Sequence, residues 1–123
     1  MKIFVKENTW LPRTFSDFGW GNGYVVIPKG HELNGKTYDE IHDLIPGLSV
    51  NGGLTFSDFR DDLSWKEIPK ETEGEWIVGF DTGHYRDTLK KWSKLSVIRE
   101  TIKLREQLIN YKTKKDLKSN IGK

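Results

Sequence analysis

The sequence predicts an α+β fold: a small, mostly antiparallel sheet, one short helix, and a C-terminal helical segment used in oligomer assembly. Two observations predict the sheet, namely the β-prone apolar runs at residues 23–28 and 76–80. Helical apolar spacing after residue 96 predicts the C-terminal segment. The length of 123 residues suits one domain. We place this domain at residues 1–112 and a Lys-rich flexible tail at residues 113–123.

The predicted strands follow from side-chain patterns. Residues 1–6 alternate and predict an edge strand. Residues 23–28 predict a buried strand that ends at its proline. Residues 48–56 predict a hairpin or a bulged strand around an Asn-Gly-Gly turn. The run at residues 76–80 predicts a second buried strand that leads directly into a polar loop.

Two helices are predicted from capping and spacing. Thr37 and Glu40 form a capping box, and the Pro46-Gly47 pair ends the first helix. Residues 88–94 predict one helical turn, and Ser96 is a plausible N-cap for the second helix. One face of that helix then carries Val97, Thr101, Leu104, Leu108 and Tyr111, and it is widened by Ile98, Ile102 and Ile109. About 15 residues is long for so small a body, so we expect part of this helix to pack on another protomer.

The remaining segments are predicted to be irregular. Residues 7–22 contain the large aromatics Trp10, Phe15, Phe18 and Trp20, which suit a core-covering flap, a ligand platform or a subunit contact. Residues 57–74 are hydrophilic, and we predict a mobile connection with at most one helical turn. Trp65 and Ile68 should attach this connection to the body.

Composition narrows the functional classes. The chain has no cysteine, which excludes a disulfide framework and thiolate chemistry. No apolar run approaches the roughly 20 residues that cross a bilayer, and the charged N-terminus does not resemble a signal peptide, so we expect a soluble intracellular protein. Residues 1–89 hold 9 Lys/Arg against 15 Asp/Glu, whereas residues 90–123 hold 11 against 3. This split fits a solvated basic helix and tail, a nucleic-acid arm, or basic helices that meet acidic bodies across a subunit contact.

Two loops carry candidate chemistry. Asp81, His84 and Asp87 are spaced like a metal or acid/base cluster, to which His31 and Glu32 could add. The alternative is that Asp81 caps a turn and His84 braces the backbone, and no zinc motif is present.

The second loop, residues 29–36, combines two lysines with two glycines. It suits either a phosphate cradle or an ordinary solvated loop, and no P-loop pattern occurs. The Asn51-Gly52-Gly53 segment could add amide donors or only turn the chain. Surplus aromatics could stack on bases.

Four segments carry a family resemblance. Residues 23–31 (GYVVIPKGH), 35–41 (GKTYDEI), 51–56 (NGGLTF) and 76–84 (WIVGFDTGH), together with Asp87, resemble a widespread family of small bacteriophage proteins. The resemblance covers roughly residues 20–110. It implies an anti-CBASS sponge, a protein that binds cyclic oligonucleotide defence signals such as 3′3′-cGAMP without cleaving them. It also implies an oligomer, with a tetramer favoured, and pockets at or near subunit contacts. Gly83 stands where the family more usually has alanine, a change that should loosen the loop.

We therefore expect a phage immune-evasion protein, acting in the cytoplasm of the infected bacterium, with no catalytic residue, metal or cofactor. Its partners would be the cyclic nucleotide and further copies of the chain, and membrane or nucleic-acid partners are not expected. Side-chain chemistry alone selects the ligand-binding residues Trp20, Tyr24, Lys29, His31, Lys36, Tyr38, Asn51, Asp81, His84, Tyr85 and Arg86. Two alternatives stay open: a metal-dependent phosphodiesterase or nuclease using Asp81, His84, Asp87 and His31, and a DNA-associated accessory protein acting through the basic C-terminal segment.

Overall fold

The protein has an α+β fold, as the sequence predicts, built from one four-stranded antiparallel sheet and two helices. The computed structural model describes residues 1–9, 18–70 and 73–111. The strands are β1 (Lys2–Glu7), β2 (Gly21–Ile27), β3 (Phe56–Phe59) and β4 (Trp76–Phe80), in the order β1-β2-β4-β3. The helices are α1 (Tyr38–Leu44) and α2 (Lys94–Ile109), and a 3-10 turn spans Arg60–Asp62.

Successive side chains of the two central strands point to opposite faces of the sheet, so both faces carry apolar residues. Other parts of the chain cover both faces. On one face, Val25 of β2 and Val78 and Phe80 of β4 belong to the main core. Helix α2 closes this face with Val97, Thr101, Leu104 and Leu108, the buried positions of the helix. The predicted apolar face of α2 is therefore confirmed, and Tyr111 packs on the same core just beyond the helix end.

Aromatic side chains cover the other face. The rings of Phe4 and Tyr24 stack with centroids 4.9 Å apart, and Trp65 lies 5.1 Å from Tyr24 and 5.2 Å from Phe56. Leu63 and Ile68 pack on the same cluster. The prediction that Trp65 and Ile68 attach their segment to the body is confirmed.

The strand prediction was wrong around β3. Residues 48–55 form no strand: they turn at Asn51-Gly52, where the Gly53 N–H donates to the Val50 carbonyl (2.9 Å). The strand begins at Phe56 and enters the segment predicted as a connection. Because β3 is an edge strand with Ser57 and Asp58 at its centre, it lacks the apolar run that marks a buried strand.

Helix boundaries were predicted with mixed success. The capping box of Thr37 and Glu40 is confirmed at α1. The single helical turn predicted at residues 88–94 is also present, because the Trp92 N–H donates to the Thr88 carbonyl at 2.8 Å. Helix α2, however, is capped by Ser93 rather than Ser96, since the Ser93 hydroxyl accepts from the Ser96 N–H (3.3 Å) and starts the helix earlier.

Some predictions fall outside the described residues. Trp10 and Phe15 of the aromatic segment and the tail at residues 113–123 lie there. Within the described ranges, no helix is long and apolar enough to cross a membrane.

Candidate functional site

Polar residues gather at one end of the sheet, which we call the polar end. Antiparallel pairing brings the end of β1, the start of β2 and the end of β4 together at this end of the sheet. The backbone there is tied across segments: the Asn8 N–H donates to the Trp20 carbonyl (2.9 Å), and the Gly19 N–H donates to the Thr82 carbonyl (2.8 Å). Buried Thr82 adds a hydroxyl bond to the Gly21 carbonyl (2.7 Å). The loop after β4 therefore projects from a rigid base.

The centre of the polar end is a hydrogen-bonded group of Asn51, His84 and Asp87. Asp87 is buried, and its Oδ2 lies 3.2 Å from His84 Nδ1 and accepts from the His84 backbone N–H at 3.0 Å. The Asn51 side-chain amide donates to both Asp87 oxygens, at 3.3 and 3.2 Å. An ionised Asp87 only accepts, so this contact suits the His84 tautomer with its proton on Nδ1. His84 is thereby held in one orientation.

Asp81 occupies the rim of the same group. Its Oδ1 accepts from the Gly83 N–H (2.9 Å) and lies 3.4 Å from His84 Nδ1, while its Oδ2 accepts from the Thr55 hydroxyl (2.9 Å). The turn-capping role foreseen for Asp81 is thus present. Its side chain is 35% exposed, so it also faces solvent.

The Asn-Gly-Gly turn supplies the surface on which the imidazole rests. A Cβ placed on Gly52 would lie 2.3 Å from His84 Cε1, and Gly52 has φ +68°. Only glycine therefore permits this close approach. His42 of α1 fixes the residue that follows this turn, since its Nε2 accepts a hydrogen bond from the Leu54 N–H (2.9 Å).

A cavity of about 430 Å³ opens beside this group. Its lining comprises Phe18, His84, Tyr85, Arg86, Asp87 and Thr88. Tyr85 is 91% exposed to solvent, and the Arg86 guanidinium lies 5.6 Å from the centre of its ring. Arg86 has φ 76°, a left-handed conformation that is unfavourable for residues other than glycine.

A smaller polar recess of about 290 Å³ lies next to the cavity and is lined by Asn8, Asn22, Asp81 and Gly83. A Cβ on Gly83, which lines this recess, would lie 3.6 Å from Asp81 Oδ1 and 3.8 Å from Phe18 Cδ1. These are ordinary contact distances, so alanine would fit at this position and would narrow the recess. Local packing therefore does not require glycine here.

The lysine loop lies at the opposite end of the sheet. The Asn34 side-chain amide donates to the Gly74 carbonyl (2.8 Å), and the Trp76 indole N–H donates to the Lys36 carbonyl (2.7 Å). These bonds place the lysine loop beside the start of β4, whereas the polar end lies beyond the last residue of β4. Seven residues of β2 separate the ends, or about 20 Å at roughly 3.3 Å per residue. Within one chain, Lys29, His31 and Lys36 therefore do not join His84.

The predicted stacking aromatics are also separated. Tyr24 is only 5% exposed and packs in the aromatic cluster, so it cannot offer a face to a base in this structure. Burial raises the pKa of its hydroxyl, which accepts from the Asn22 amide at 3.4 Å. Trp20 is half-buried on the main core, with Lys94 Nζ 5.4 Å from its ring, and Tyr38 begins α1 beside the lysine loop. Of the four aromatic residues selected as ligand-binding, Tyr85 alone lines the cavity.

Several site residues were missed from the sequence. Asn8 and Asn22 read as ordinary residues of an irregular segment, although a polar side chain two positions before Tyr24 shares its face of the sheet. Phe18 was considered as part of a flap or ligand platform and as a surplus aromatic, but it was not selected as a ligand-binding residue. Thr88 gave no signal at all.

The carboxylates of Asp81 and Asp87 already accept hydrogen bonds from neighbouring residues, although Asp81 stays partly exposed. Across residues 1–9, 18–70 and 73–111, no group of three or more His, Asp or Glu is arranged to hold a metal ion. What the polar end does present is a concave surface with a free aromatic ring, a guanidinium and an oriented imidazole. Searches of protein-family models, curated proteins and solved structures found no match to this chain.

Proposed function

We propose that the protein binds a cyclic oligonucleotide, such as a 3′3′-cGAMP-like cyclic dinucleotide, and sequesters it without cleaving it. One observation carries the proposal: the cavity of about 430 Å³ places the Arg86 guanidinium and the exposed Tyr85 ring beside His84. In this role the protein would serve immune evasion by a phage, in the cytoplasm of the infected bacterium, as the family resemblance implies.

The chemistry of the cavity supports this ligand class. A guanidinium matches a phosphate in a bidentate geometry, and a tyrosine face stacks on a base of any identity. The volume lies within the range of about 300–1,000 Å³ typical of small-molecule sites. The adjoining recess offers the Asp81 carboxylate and two asparagine side chains, which suit the polar edge of a base.

The fixed pairing of His84 with Asp87 supports a second candidate, a hydrolase in which His84 acts as a general base. Such a pair orients an imidazole toward a proton that it removes. The metal-dependent version of this hypothesis draws no support from the described residues. Binding without cleavage and hydrolysis differ in the fate of the ligand, which an experiment measures directly.

Self-association would complete the site if the lysine loop takes part. Because Lys29 and Lys36 lie at the other end of the sheet, they would reach a ligand at the polar end only from a second copy of the chain. A tetramer is the assembly that the family resemblance implies.

The test is equilibrium dialysis with 3′3′-cGAMP, followed by heat denaturation and chromatography of the released ligand. We expect intact ligand to be recovered. Arg86→Ala should weaken binding at least about 10-fold, since a charge-assisted bond contributes about 1.5–3 kcal/mol. Tyr85→Ala should weaken it about 5-fold or more, given about 1–3 kcal/mol for a stacked base. Lys103→Ala, which removes an exposed cation from α2, is the matched control and should bind normally.

Three results would overturn the proposal. Recovery of a linear product would favour the hydrolase, and His84→Ala should then abolish product formation. Equal binding by Arg86→Ala and wild type would move the site away from the cavity. Failure of every cyclic dinucleotide and trinucleotide tested to bind would reject the ligand class.

A further inference from the structure

Helix α2 carries a second apolar stripe that its own chain covers only in part, since its two middle residues are half-buried and its two end residues are exposed. Leu95, Ile98, Ile102 and Ile109 follow one another at spacings of 3, 4 and 7 residues, so they share one side of the helix. Leu95 and Ile109, at the two ends of this outer stripe, are 53% and 52% exposed. The buried face of α2 is made by other residues, Val97, Thr101, Leu104 and Leu108.

The outer stripe lies about a third of a turn from the buried face, at about 100° per residue. The opposite flank of α2 is occupied by its own chain: Glu100 accepts from the Asn51 N–H (2.9 Å), and Gln107 bonds both the Ser49 N–H and carbonyl (2.8 Å each). The outer stripe therefore faces away from that loop. Exposed apolar residues arranged in a row along a helix mark a contact surface more than scattered ones do.

We infer that the outer stripe is the contact surface for a second copy of this chain, with the two α2 helices packed antiparallel about a two-fold axis near Ile102. A two-fold axis there sets Leu95 opposite Ile109 of the partner subunit, so the two exposed ends of the stripe cover each other. Ile102 meets its own symmetry mate. A surface that is complementary to itself is what a two-fold interface requires.

Charge favours the same pairing. Arg99 and Glu106 are both exposed and lie seven residues apart on the solvent-facing border of the outer stripe. The two-fold places Arg99 within one residue's rise, about 1.5 Å along the axis, of the partner's Glu106. The same contact occurs twice by symmetry.

The inference deepens the proposed self-association and does not depend on any ligand, so it is tested on the ligand-free protein. Sedimentation equilibrium should show a dimer or a larger even-numbered assembly for the wild type. Leu95→Glu and Ile109→Glu should each halve the mass. Because both side chains are more than half exposed, the variants should keep the wild-type circular dichroism and melting behaviour of a folded chain.

Two further variants test the geometry itself. Because the chain has no cysteine, Ile102→Cys introduces a single thiol next to its symmetry mate, and oxidation should yield a covalent dimer. Asp43→Cys, on the exposed side of α1, is the control and should cross-link at least about 10-fold more slowly. Glu106→Arg should raise the dimer dissociation constant, and Arg99→Glu/Glu106→Arg should restore it.

A monomeric wild type at tens of micromolar would overturn the inference, as would equal cross-linking of the two cysteine variants. If the wild type associates but the glutamate variants keep its full mass, a different surface forms the assembly. Ligand binding measured separately on the same variants keeps this outcome distinct from a failure of the proposed function.

Discussion

At the scale of single residues, Arg86 stands out because it holds a left-handed backbone conformation without being glycine. It is the one such residue within the described parts of the chain, and it lines the cavity. A non-glycine residue in this conformation costs roughly 1–2 kcal/mol. Strain of this size at a site is often retained because the side chain is needed there.

Replacement of this residue by glycine separates stability from binding. We expect Arg86→Gly to raise the free energy of unfolding by about 1 kcal/mol, because glycine adopts φ 76° without a steric penalty. The same change should weaken binding of the cyclic dinucleotide at least about 10-fold, because it removes the guanidinium. Urea denaturation and equilibrium dialysis measure the two effects. Arg86→Ala, which keeps the strain, is the control and should leave stability close to that of wild type; an Arg86→Gly protein no more stable than Arg86→Ala would contradict the strain argument.

At the scale of elements, α1 is too short to be stable alone and depends on its cap. The Thr37 hydroxyl accepts from the Glu40 N–H (3.3 Å), while Glu40 Oε1 accepts from the Thr37 N–H (3.1 Å). The Thr37 hydroxyl also donates to Glu40 Oε1 (3.1 Å). The two bonds that Oε1 accepts, from the Thr37 N–H and then from its hydroxyl, favour the ionised carboxyl and hold the pKa of Glu40 below its ordinary value of 4.5. Since the folded-state pKa is depressed, the stability that this charge contributes is present above pH 4.5 and is lost as the pH falls through the folded-state pKa.

Glu40→Gln tests this pH dependence, because glutamine keeps an oxygen for the capping box but has no charge. The wild type should be more stable than Glu40→Gln at neutral pH, and the difference should shrink as the pH falls below 4.5. Denaturant midpoints measured from about pH 7 to pH 3 follow the difference. In a Thr37→Ala background the effect of Glu40→Gln should be smaller. A difference that stays constant with pH would show that the charge of Glu40 adds nothing to the cap.

At the scale of the whole molecule, the two faces of the sheet are covered by different kinds of structure. Helix α2 closes one face, whereas a segment without long secondary structure closes the other through Trp65. This single indole contacts rings from β1, β2 and β3 and has Lys6 Nζ 5.6 Å from its own ring. Trp65 therefore joins three strands on the second face.

Trp65→Ala should lower the free energy of unfolding by about 2–3 kcal/mol, at the lower end for a large aromatic because the residue is only partly buried. Urea denaturation at constant pH measures the loss. Tyr85→Ala is the matched control: with 91% of its side chain exposed, it should change stability by less than about 0.5 kcal/mol. Similar losses for the two variants would mean that the aromatic cluster contributes little.

Local patterns were sufficient for much of the fold. The capping box at Thr37, the buried run at residues 76–80 and the inward positions of α2 are each recorded in a short stretch of sequence, because they depend on chain periodicity and on hydrogen bonds between near neighbours. Strand β3 was missed because its polar centre shows no periodicity. Its existence depends on pairing with β4, for example Ser57 with Val78.

The candidate site divides in the same way. The grouping of Asp81, His84 and Asp87 is local and was visible in the sequence, whereas their hydrogen bonds to Asn51 and Thr55 join segments some 30 residues apart. Register and strand order decided that the lysine loop lies at the far end of the sheet and that Tyr24 is buried. They also brought Asn8 and Asn22 to the polar end. The sequence therefore determined which groups are present and the helices and strands that carry them, but only the tertiary structure decided which groups meet, because antiparallel pairing brings together residues that are distant along the chain.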